Sequence, residues 1–409
     1  MGFVKEIYMT QGKYGYHYMG DDYVCPDCFD DYAVKRFIRD NADETKCSYC
    51  GSQSRRPNSA FLGDVIKFVM QGILTEYGDP DREGIPYESA EGGYQGEVYS
   101  TSEVFDDEIA PIIRNDRLLE DIQNALDDKL WCQRDFYTLP PHKALIFNWE
   151  QFSNQVKHHT RYVFFRLRDE PSDRLYDDPD YIPIPKMLDR LAHVVSETRL
   201  LRMLNESQTI WRVRVHDPDI ICADADSCGP PPAEELKTSS RMSPAGIPMF
   251  YGAVDERTAL IETPRRTNRV QVTTISQWQP VRTLRFLDLT ALPPIPSIFD
   301  PHKRKNRPNV RFLWSFVRGV TRPLRKQGLE HVDYVPTQVF TEYIRHLYKD
   351  RHGDAFEGIL YPSSKKGGKI NCVVFCDRFG CLDDKETEQK ETYPHQKYLR
   401  LVGHRDIYA

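Results

Sequence analysis

An arginine, a tyrosine and a glutamate lie close together in "RMSPAGIPMFYGAVDERTALIE", as Arg241, Tyr251 and Glu262. The Ser-Pro-Ala-Gly sequence predicts a turn, the tyrosine lies in a short strand-like run, and "DERTALIE" predicts a helix that carries the glutamate about two turns from its start. A guanidinium binds phosphate oxygens, an aromatic ring stacks on flat groups, and a carboxylate accepts hydrogen bonds from ribose hydroxyls. Together they would form a cradle for a dinucleotide. Such a trio also occurs by chance, so the spacing alone does not assign the chemistry.

Four of the ten cysteines form two Cys-x-x-Cys pairs, Cys25 with Cys28 and Cys47 with Cys50, and Gly51 follows the second pair. Each pair forms a tight turn that offers two thiolates to one ion at about 2.3 Å, as tetrahedral zinc requires. A site of four cysteines has no open position for water, so the predicted zinc ion is structural rather than catalytic. The alternatives are reduced structural cysteines or a redox pair. The remaining cysteines lack paired spacing and are interpreted as core or surface thiols.

Length and composition are those of a folded protein of more than one domain. The chain has 409 residues, of which 40% are hydrophobic and 28% charged, which is enough for two or three globular domains. The net charge of −6 argues against a protein that coats nucleic acid or an anionic membrane. The sequence has neither a signal-peptide pattern nor an apolar run near the ~20 residues of a membrane span, so we expect a soluble, cytoplasmic protein.

The periodicity changes from helical to strand-like near residue 205. Apolar stripes at helical spacing run through "RLLEDIQNALDDKLW" and "PKMLDRLAHVVSETRLLRML". Later, "IWRVRV", "MFYGAV", "RVQVTTI", "GILYP" and "KINCVVFC" predict strands, and "TQVFTEYIRHLYKD" predicts a helix. Between "RVQVTTI" and "TQVFTEYIRHLYKD" lies "PPIPSIFDPHKRKNRP", a Pro-rich and then basic insertion. No aromatic residues are interleaved with its basic run, which favours a solvated loop over a nucleic-acid-binding patch.

Several motifs in the strand-rich half resemble the RES domain, which is named for its Arg, Glu and Ser. They are "WRVR", "GPPP", "SRMSPAGIPMFYGA", "TALIE", "VPTQVFTEYIR" and "GILYPSSKKGGKINCVVF", and they cover about residues 205 to 390 in the family's order. The resemblance implies an ADP-ribosyltransferase-like α+β fold and an activity on NAD⁺. Compact members are toxins, paired with an Xre-type antitoxin, that destroy NAD⁺ by hydrolysis or phosphorolysis, and some members ADP-ribosylate a protein. Such toxins dimerise, which extends the expectation of a homodimer to this chain.

The resemblance also implies a role for each site residue. Glu262 would stabilise the positive charge that grows on the ribose as nicotinamide leaves, because this cleavage passes through an oxocarbenium-like state. Arg241 would hold the pyrophosphate, and Tyr251 would stack on the nicotinamide or ribose. Ser363, in "GILYPSS", would hydrogen-bond the nicotinamide ribose or amide.

Three points stay open at this stage. Arg212 in "WRVR" is either a second phosphate contact or a surface charge, and Ser364 beside Ser363 leaves open which hydroxyl acts. Compact toxins follow the site arginine with Trp-Asn, whereas Met242, Ser243 and Pro244 follow here, as in longer RES proteins. This departure leaves the acceptor open among water, phosphate and a macromolecule.

The N-terminal half is similar to the zinc-ribbon and HEPN-like domain found ahead of some RES domains. HEPN ribonucleases use an Arg with four to six residues before a His, and the helical region lacks this spacing, since seven residues separate Arg134 from His142. The adjacent His158 and His159 point about 100° apart on a helix and seldom serve one site. We therefore expect the helices to regulate, dimerise or sense a trigger rather than to cleave RNA.

The sequence thus predicts an α+β protein in four parts. These are a zinc ribbon at 1–57, a helical HEPN-like domain at 58–205, a RES domain at 206–395 and a C-terminal tail at 396–409. The leading functional hypothesis is an NAD⁺-cleaving effector. The alternatives are an ADP-ribosyltransferase that modifies a protein or nucleic acid, and a non-enzymatic protein that senses a nucleotide or binds nucleic acid.

Overall fold

The structure is a computed structural model that describes residues 9–167, 180–263, 270–323, 328–365, 367–384 and 396–408. The chain divides into two compact units. The first comprises Met1–Pro140 with Ile295–Pro308, and the second comprises Pro141–Pro294 with Asn309–Ala409. The described residues combine many helices with a large sheet, which confirms the predicted α+β class.

The first unit contains short strands and several α-helices among its described residues. The helices are α1 Tyr32–Asp40, α2 Leu62–Glu76, α3 Pro80–Glu83, α4 Thr101–Val104 and α5 Asp116–Ala125. The strands are β1 Tyr23–Val24, β2 Ala60–Phe61, β3 Tyr77–Gly78, β4 Tyr87–Glu88, β5 Gly93–Tyr94, β6 Val98–Ser100 and β7 Leu130–Gln133. They pair as β1 with β2, β4 with β5, and in the order β3-β7-β6.

The Pro-rich insertion supplies part of the core of this first unit. Phe299 is only 2% exposed and packs among the buried residues of α1 and α2. Asp300 accepts hydrogen bonds from the Tyr32 hydroxyl at 3.0 Å and from the Arg36 guanidinium at 3.2 Å. Arg307 at the end of the insertion lies 3.0 Å from the Glu76 carboxylate. The insertion is therefore anchored by Phe299 and by two charged residues that follow it.

The second unit is built on a nine-stranded sheet in the described part of the chain. Its strands are β8 Leu201–Leu204, β9 Ile210–His216, β10 Phe250–Ala253, β11 Val272–Pro280, β12 Leu284–Asp288, β13 Gly358–Pro362, β14 Ile370–Val374, β15 Cys381–Leu382 and β16 Leu399–Tyr408. Its helices are α6 Pro141–His158, α7 Met187–Thr198, α8 Ala225–Cys228, α9 Glu256–Glu262, α10 Arg307–Thr321, which starts in the insertion, α11 Glu330–Asp333 and α12 Val335–His346.

The sheet runs in the order β15-β16-β11-β9-β10-β14-β13-β12-β8. Its neighbours are antiparallel except for the pairs β12 with β13 and β15 with β16. In the centre, Tyr251 pairs with Val373, and Asn371 pairs with Ala253 on one side and Tyr361 on the other. Because side chains alternate along a strand, all these residues lie on one face of the sheet.

Each face of the sheet has its own core. On the face of Tyr361 and Val373, buried residues of α6, α7, α10 and α12 form one cluster with the sheet. On the opposite face, Phe250, Trp278 and Phe286 lie in a second cluster. Burial of both faces explains why the central strands are almost continuously apolar.

Two segments differ from the sequence-based expectation. The helical stripe predicted through Leu204 ends at Thr198, because Arg199 has a left-handed backbone with φ of 52°, and residues Leu201–Leu204 pair with β12 instead. Residues 396–409, predicted as a tail, contribute β16, which pairs along the whole of β11. No helix among the described residues has the length and apolar character needed to cross a membrane.

The packing of Phe299 against α2 predicts that Gly72→Ala destabilises the protein. A Cβ at Gly72 would lie 2.5 Å from Phe299 Cδ1 and 3.2 Å from its Cα, and overpacking of this kind costs about 1–3 kcal/mol. Gly319→Ala in α10 is the matched control, since its Cβ would meet no atom within 4 Å. That change should stabilise the helix by up to about 1 kcal/mol.

Chemical denaturation of the full chain measures both effects. Equal destabilisation by the two variants would contradict the close approach of Phe299 to α2.

Candidate functional site

A cavity of about 1120 Å³ opens on one face of the central sheet. Its walls include Tyr251 from β10, Tyr361 from β13 and Asn371 from β14. Clefts for small ligands have volumes of about 300–1,000 Å³, so this cavity has room for a molecule as large as a dinucleotide.

Glu262 lies at the cavity wall as the last residue of α9. Asp255 begins this helix, and its carboxylate accepts hydrogen bonds from the Thr258 backbone N–H at 3.0 Å and hydroxyl at 2.8 Å. One carboxylate oxygen of Glu262, Oε1, accepts from the Ser363 hydroxyl at 2.5 Å and from the Asn371 amide at 2.8 Å. The carboxylate is therefore held from two sides by groups that are remote in sequence.

Ser363 lies at the start of the loop between β13 and β14. Its backbone N–H donates to the Lys369 carbonyl at 2.9 Å, and its Oγ accepts from the Lys365 N–H at 3.2 Å. A Cβ at Gly368 would lie 2.2 Å from Ser363 Oγ, so this position requires glycine. Ser364 lines the cavity, and the hydroxyl that bonds to Glu262 is that of Ser363.

Tyr251 lines the cavity from the central strand β10. Its hydroxyl shares a hydrogen bond of 2.9 Å with the hydroxyl of the buried Ser243. Desolvation by burial raises the pKa of Tyr251 to about 12, and burial also raises the pKa of Tyr361 well above its ordinary value. Both phenols are therefore neutral at physiological pH and act as hydrogen-bonding or stacking groups.

Arg241 precedes β10 and lines the same cavity. Its guanidinium donates to the Val320 carbonyl at the end of α10 and to the Arg322 carbonyl at 3.1 Å. The guanidinium carbon also lies 5.3 Å from the centre of the Tyr334 ring. A cation at a helix C-terminus is favourable because the last carbonyls lack intrahelical partners. The contacts fix Arg241 and use two of the five N–H groups that a guanidinium offers.

Arg212 occupies a place that neither sequence-based interpretation anticipated. Its guanidinium donates to three backbone carbonyls, those of Tyr251 at 2.7 Å, Cys228 at 3.0 Å and Gly229 at 3.2 Å. It also lies over the Phe250 ring, on the sheet face opposite Tyr251. Burial lowers the pKa of Arg212. The side chain therefore ties a loop to β10. It supports the strand behind the cavity and does not itself face the cavity.

The charge of the cavity wall is mixed, with cations in excess. Besides Arg212, whose guanidinium lies on the other face of the sheet, the charged residues that line it are the cationic Lys237, Arg241 and Lys365 and the anionic Glu262 and Glu330; His331 lies among them. Such a wall favours a ligand that carries negative charge, and its glutamates can accept hydrogen bonds from hydroxyl groups of the ligand. A dinucleotide has both phosphates and ribose hydroxyls.

The second half of the chain, which contains the cavity, matches a known domain family. Residues 209–396 match the family model of the RES domain. The chain carries a RES domain. Residues 40–170 match the model described as HEPN/RES N-terminal domain 1, so both resemblances drawn from the sequence are confirmed. No curated protein and no solved structure matches the chain.

The RES domain brings together most of the residues singled out from the sequence. Arg241, Tyr251 and Glu262 line one cavity, and Ser363 reaches it through its bond to Glu262. Arg212 contributes its backbone and not its guanidinium, which lies on the other face. Three of the four predicted site residues thus line one cavity, and the fourth, Ser363, is hydrogen-bonded to one of them.

Asn371 and Tyr361 also line the cavity, although their types and spacing in the sequence did not predict it. Both lie on apolar strands that were correctly predicted, and both point to the face that carries Tyr251. A polar residue on the buried face of a strand is unusual, and that is the signal that could have identified Asn371, since it shares a face with Val373 in "KINCVVF".

The four cysteines form a compact cluster in the first unit. The Cys25 sulfur lies 3.8 Å from the Cys28 sulfur and 3.5 Å from the Cys50 sulfur, and the sulfurs of Cys28 and Cys47 are 3.7 Å apart. All four sulfurs lie within 4.8 Å of one another. Tetrahedral metal–thiolate bonds of about 2.3 Å require sulfur separations of ~3.8 Å, whereas a disulfide requires about 2 Å. The cluster can therefore hold a metal ion.

The raised pKa of Tyr251 predicts a loss of stability at alkaline pH. Because the folded-state pKa is about 12 and the ordinary value is 10.0, the folded protein keeps this proton between those values while the unfolded chain releases it. The contribution is complete below pH 10 and is lost as pH rises through about 12. Tyr251→Phe should lack this part of the decline.

Urea denaturation between neutral and alkaline pH measures the difference. Tyr408→Phe, at a phenol that is 77% exposed, is the control and should keep the decline of the unmodified protein. Parallel pH curves for Tyr251→Phe and the unmodified protein would contradict the assignment.

Proposed function

We propose that this protein cleaves NAD⁺ at the bond between nicotinamide and ribose. The observation that carries the proposal is the carboxylate of Glu262, which is fixed by Ser363 and Asn371 at the wall of a large cavity with cationic residues. The RES-domain match supports it, since this family resembles NAD⁺-acting enzymes.

The reaction mainly requires electrostatic stabilisation of the positive charge that develops on the ribose. The glycosidic C–N bond breaks, its electron pair goes to the nicotinamide nitrogen, and the ring leaves neutral while positive charge grows on the ribose. Water or phosphate then bonds to the anomeric carbon, and water releases its proton to solvent. A carboxylate beside the ribose lowers the energy of this state, and one such fixed group contributes roughly 3 kcal/mol, about a hundredfold in rate. We assign this role to Glu262.

The remaining cavity residues would bind and orient the substrate. Arg241 would hold the pyrophosphate with the N–H groups that α10 does not use, helped by Lys237 and Lys365 at the same wall. Tyr251 would present a neutral, hydrogen-bonded ring against the nicotinamide or ribose. A fixed arginine and a fixed ring pre-organise the site and so reduce the entropy lost on binding.

Transfer of ADP-ribose to a macromolecule would break the same bond, so it remains the alternative for the acceptor. An enzyme that destroys NAD⁺ also needs control. The resemblance to toxins extends the proposal to a cytoplasmic effector that is restrained by an antitoxin, by dimerisation or by its own N-terminal region. The match to HEPN/RES N-terminal domain 1 supports a regulatory role for that region.

We also propose that the cysteine cluster holds a structural zinc ion. Three of its members are buried in the core of the first unit, and the Cys25 N–H and the Ser52 hydroxyl each donate to a sulfur atom of the cluster. Four thiolates with such outer-shell donors leave no position for water and suit zinc.

Glu262→Gln should lower NAD⁺ cleavage by about a hundredfold or more, because it keeps the shape of the side chain and removes its charge. Purified full-length protein is incubated with NAD⁺, with and without phosphate, and the products are separated by chromatography. Free ADP-ribose indicates hydrolysis and ADP-ribose-1″-phosphate indicates phosphorolysis. Covalent label on a macromolecule would indicate transfer.

The matched control is Glu256→Gln at the other end of the same helix. Glu256 pairs with Arg405 and lies outside the cavity wall, so this variant should retain the activity of the unmodified protein. Intact NAD⁺ with the unmodified protein, or equal turnover by Glu262→Gln, would reject the proposal.

Metal analysis of the purified protein should find about one zinc ion per chain. Cys28→Ser should lose the metal and destabilise the first unit, because the ion joins two turns of its core. Cys132→Ser, at a buried cysteine of the same unit outside the cluster, should keep the metal. Full zinc occupancy in Cys28→Ser would disprove the assignment.

A further inference from the structure

The two hydrogen bonds to Glu262 end on the same oxygen atom. Ser363 and Asn371 both donate to Oε1. We propose that Asn371 is a positioning residue which, with Ser363, fixes Oε1 so that Oε2 is the oxygen that meets the ribose. The inference rests on the proposed function, since it assigns how the acting carboxylate is oriented.

The chemistry of the groups fixes the direction of each bond. An ionised carboxylate only accepts hydrogen bonds, so the amide nitrogen of Asn371, and not its oxygen, must face Glu262. A serine hydroxyl has one proton, and Ser363 gives it to Oε1. Ser363 can therefore accept from a substrate hydroxyl or amide N–H but has no second proton to donate, so the role that the family resemblance implied for it is that of an acceptor.

Asn371 is the more rigid of the two donors. It is 6% exposed and lies in the middle of the sheet, paired with Ala253 on β10 and with Tyr361 on β13. Ser363 lies just beyond the end of β13, where its place depends on the turn at Gly368. The sheet thus fixes the amide, and the amide fixes the carboxylate.

Orientation matters because Glu262 ends a helix of seven residues and has a long, rotatable side chain. Free rotation would spread the negative charge over several positions, whereas transition-state stabilisation needs it at one place. With Oε1 held by two donors, the remaining oxygen is directed by the geometry of the carboxylate itself.

The first test is the split between kcat and KM. Asn371→Ala should lower kcat about 10- to 100-fold, the value of one hydrogen bond to a charged group, and should change KM little, because Asn371 orients a group that acts in the transition state. Asn205→Asp, at an exposed turn of the same unit outside the cavity, is the control and should keep both parameters.

The second test uses pH and separates positioning from a structural role. In Asn371→Asp, one proton shared by the new carboxyl and Glu262 leaves a single negative charge and a bridging hydrogen, as the amide did. When that proton is lost, two carboxylates face each other and repel. The activity of Asn371→Asp relative to Asn371→Ala should therefore be highest at low pH and fall as pH rises through the upper pKa of the pair.

Other titratable groups share this cavity and need a common reference. They are Tyr251 on β10, Tyr361 on β13, Tyr334, Lys237, Arg241, Lys365, Glu330 and His331, together with Arg212, whose guanidinium lies on the other face of the sheet. All are present in both variants, so the ratio of the two activities removes their contribution. The pH dependence that remains belongs to position 371.

The outcomes are distinct. The inference holds if kcat falls with KM retained and the ratio declines with pH. It is overturned if Asn371→Ala has the kcat of the unmodified protein, or if the ratio is constant across pH. If the unmodified protein does not cleave NAD⁺, the proposed function fails by itself. Crystal structures of the unmodified protein and Asn371→Ala then decide, since the Glu262 carboxylate must turn only in the variant.

Discussion

The site depends on an ionised carboxylate being held at the end of a short helix by donors from the neighbouring sheet. Glu262 alone would be a flexible side chain at a helix end, and its Oε1 is fixed only because Ser363 and Asn371 converge on it. That convergence needs the antiparallel pairing of β13 with β14 and the tight turn between them. A change that moved either strand would move the charge.

The two faces of the central sheet have different roles: one lines the cavity, and the other supports the strands behind it. Tyr251, Tyr361 and Asn371 lie on the cavity face, while Arg212 lies on the other and binds three carbonyls. One of these is the carbonyl of Tyr251 itself. Loss of the three hydrogen bonds of this buried guanidinium would be costly, because its charge would be left without compensation. Arg212 thus anchors β10, which carries Tyr251, from the opposite face of the sheet.

The sequence predicted the local elements better than their partners. The strand "GILYP" has the predicted bounds, and Glu262 lies on the predicted helix. Local pattern could not show that Leu201–Leu204 leaves its helix, since the same leucines fit a helical stripe and the pairing with β12 decides. Nor could it show that Phe299 packs against Gly72. That contact joins two segments that are far apart in the sequence. Asn371 was missed because its role exists only once β10, β13 and β14 are side by side.

Two of the residues that differ from the compact toxins contribute to the surroundings of Tyr251. Met242 is 0% exposed and accepts a hydrogen bond from the Thr341 hydroxyl at its sulfur, while Ser243 bonds to the Tyr251 hydroxyl. Gln338 of α12 donates to the Ser243 carbonyl and so ties this loop to the helix. These substituted residues therefore shape the support of Tyr251, whereas the donors to Glu262 come from β13 to β14. The groups that would stabilise the breaking bond and those that would orient the ring thus have different hydrogen-bond partners, and the pairing of β10 with β14 holds the two sets in register.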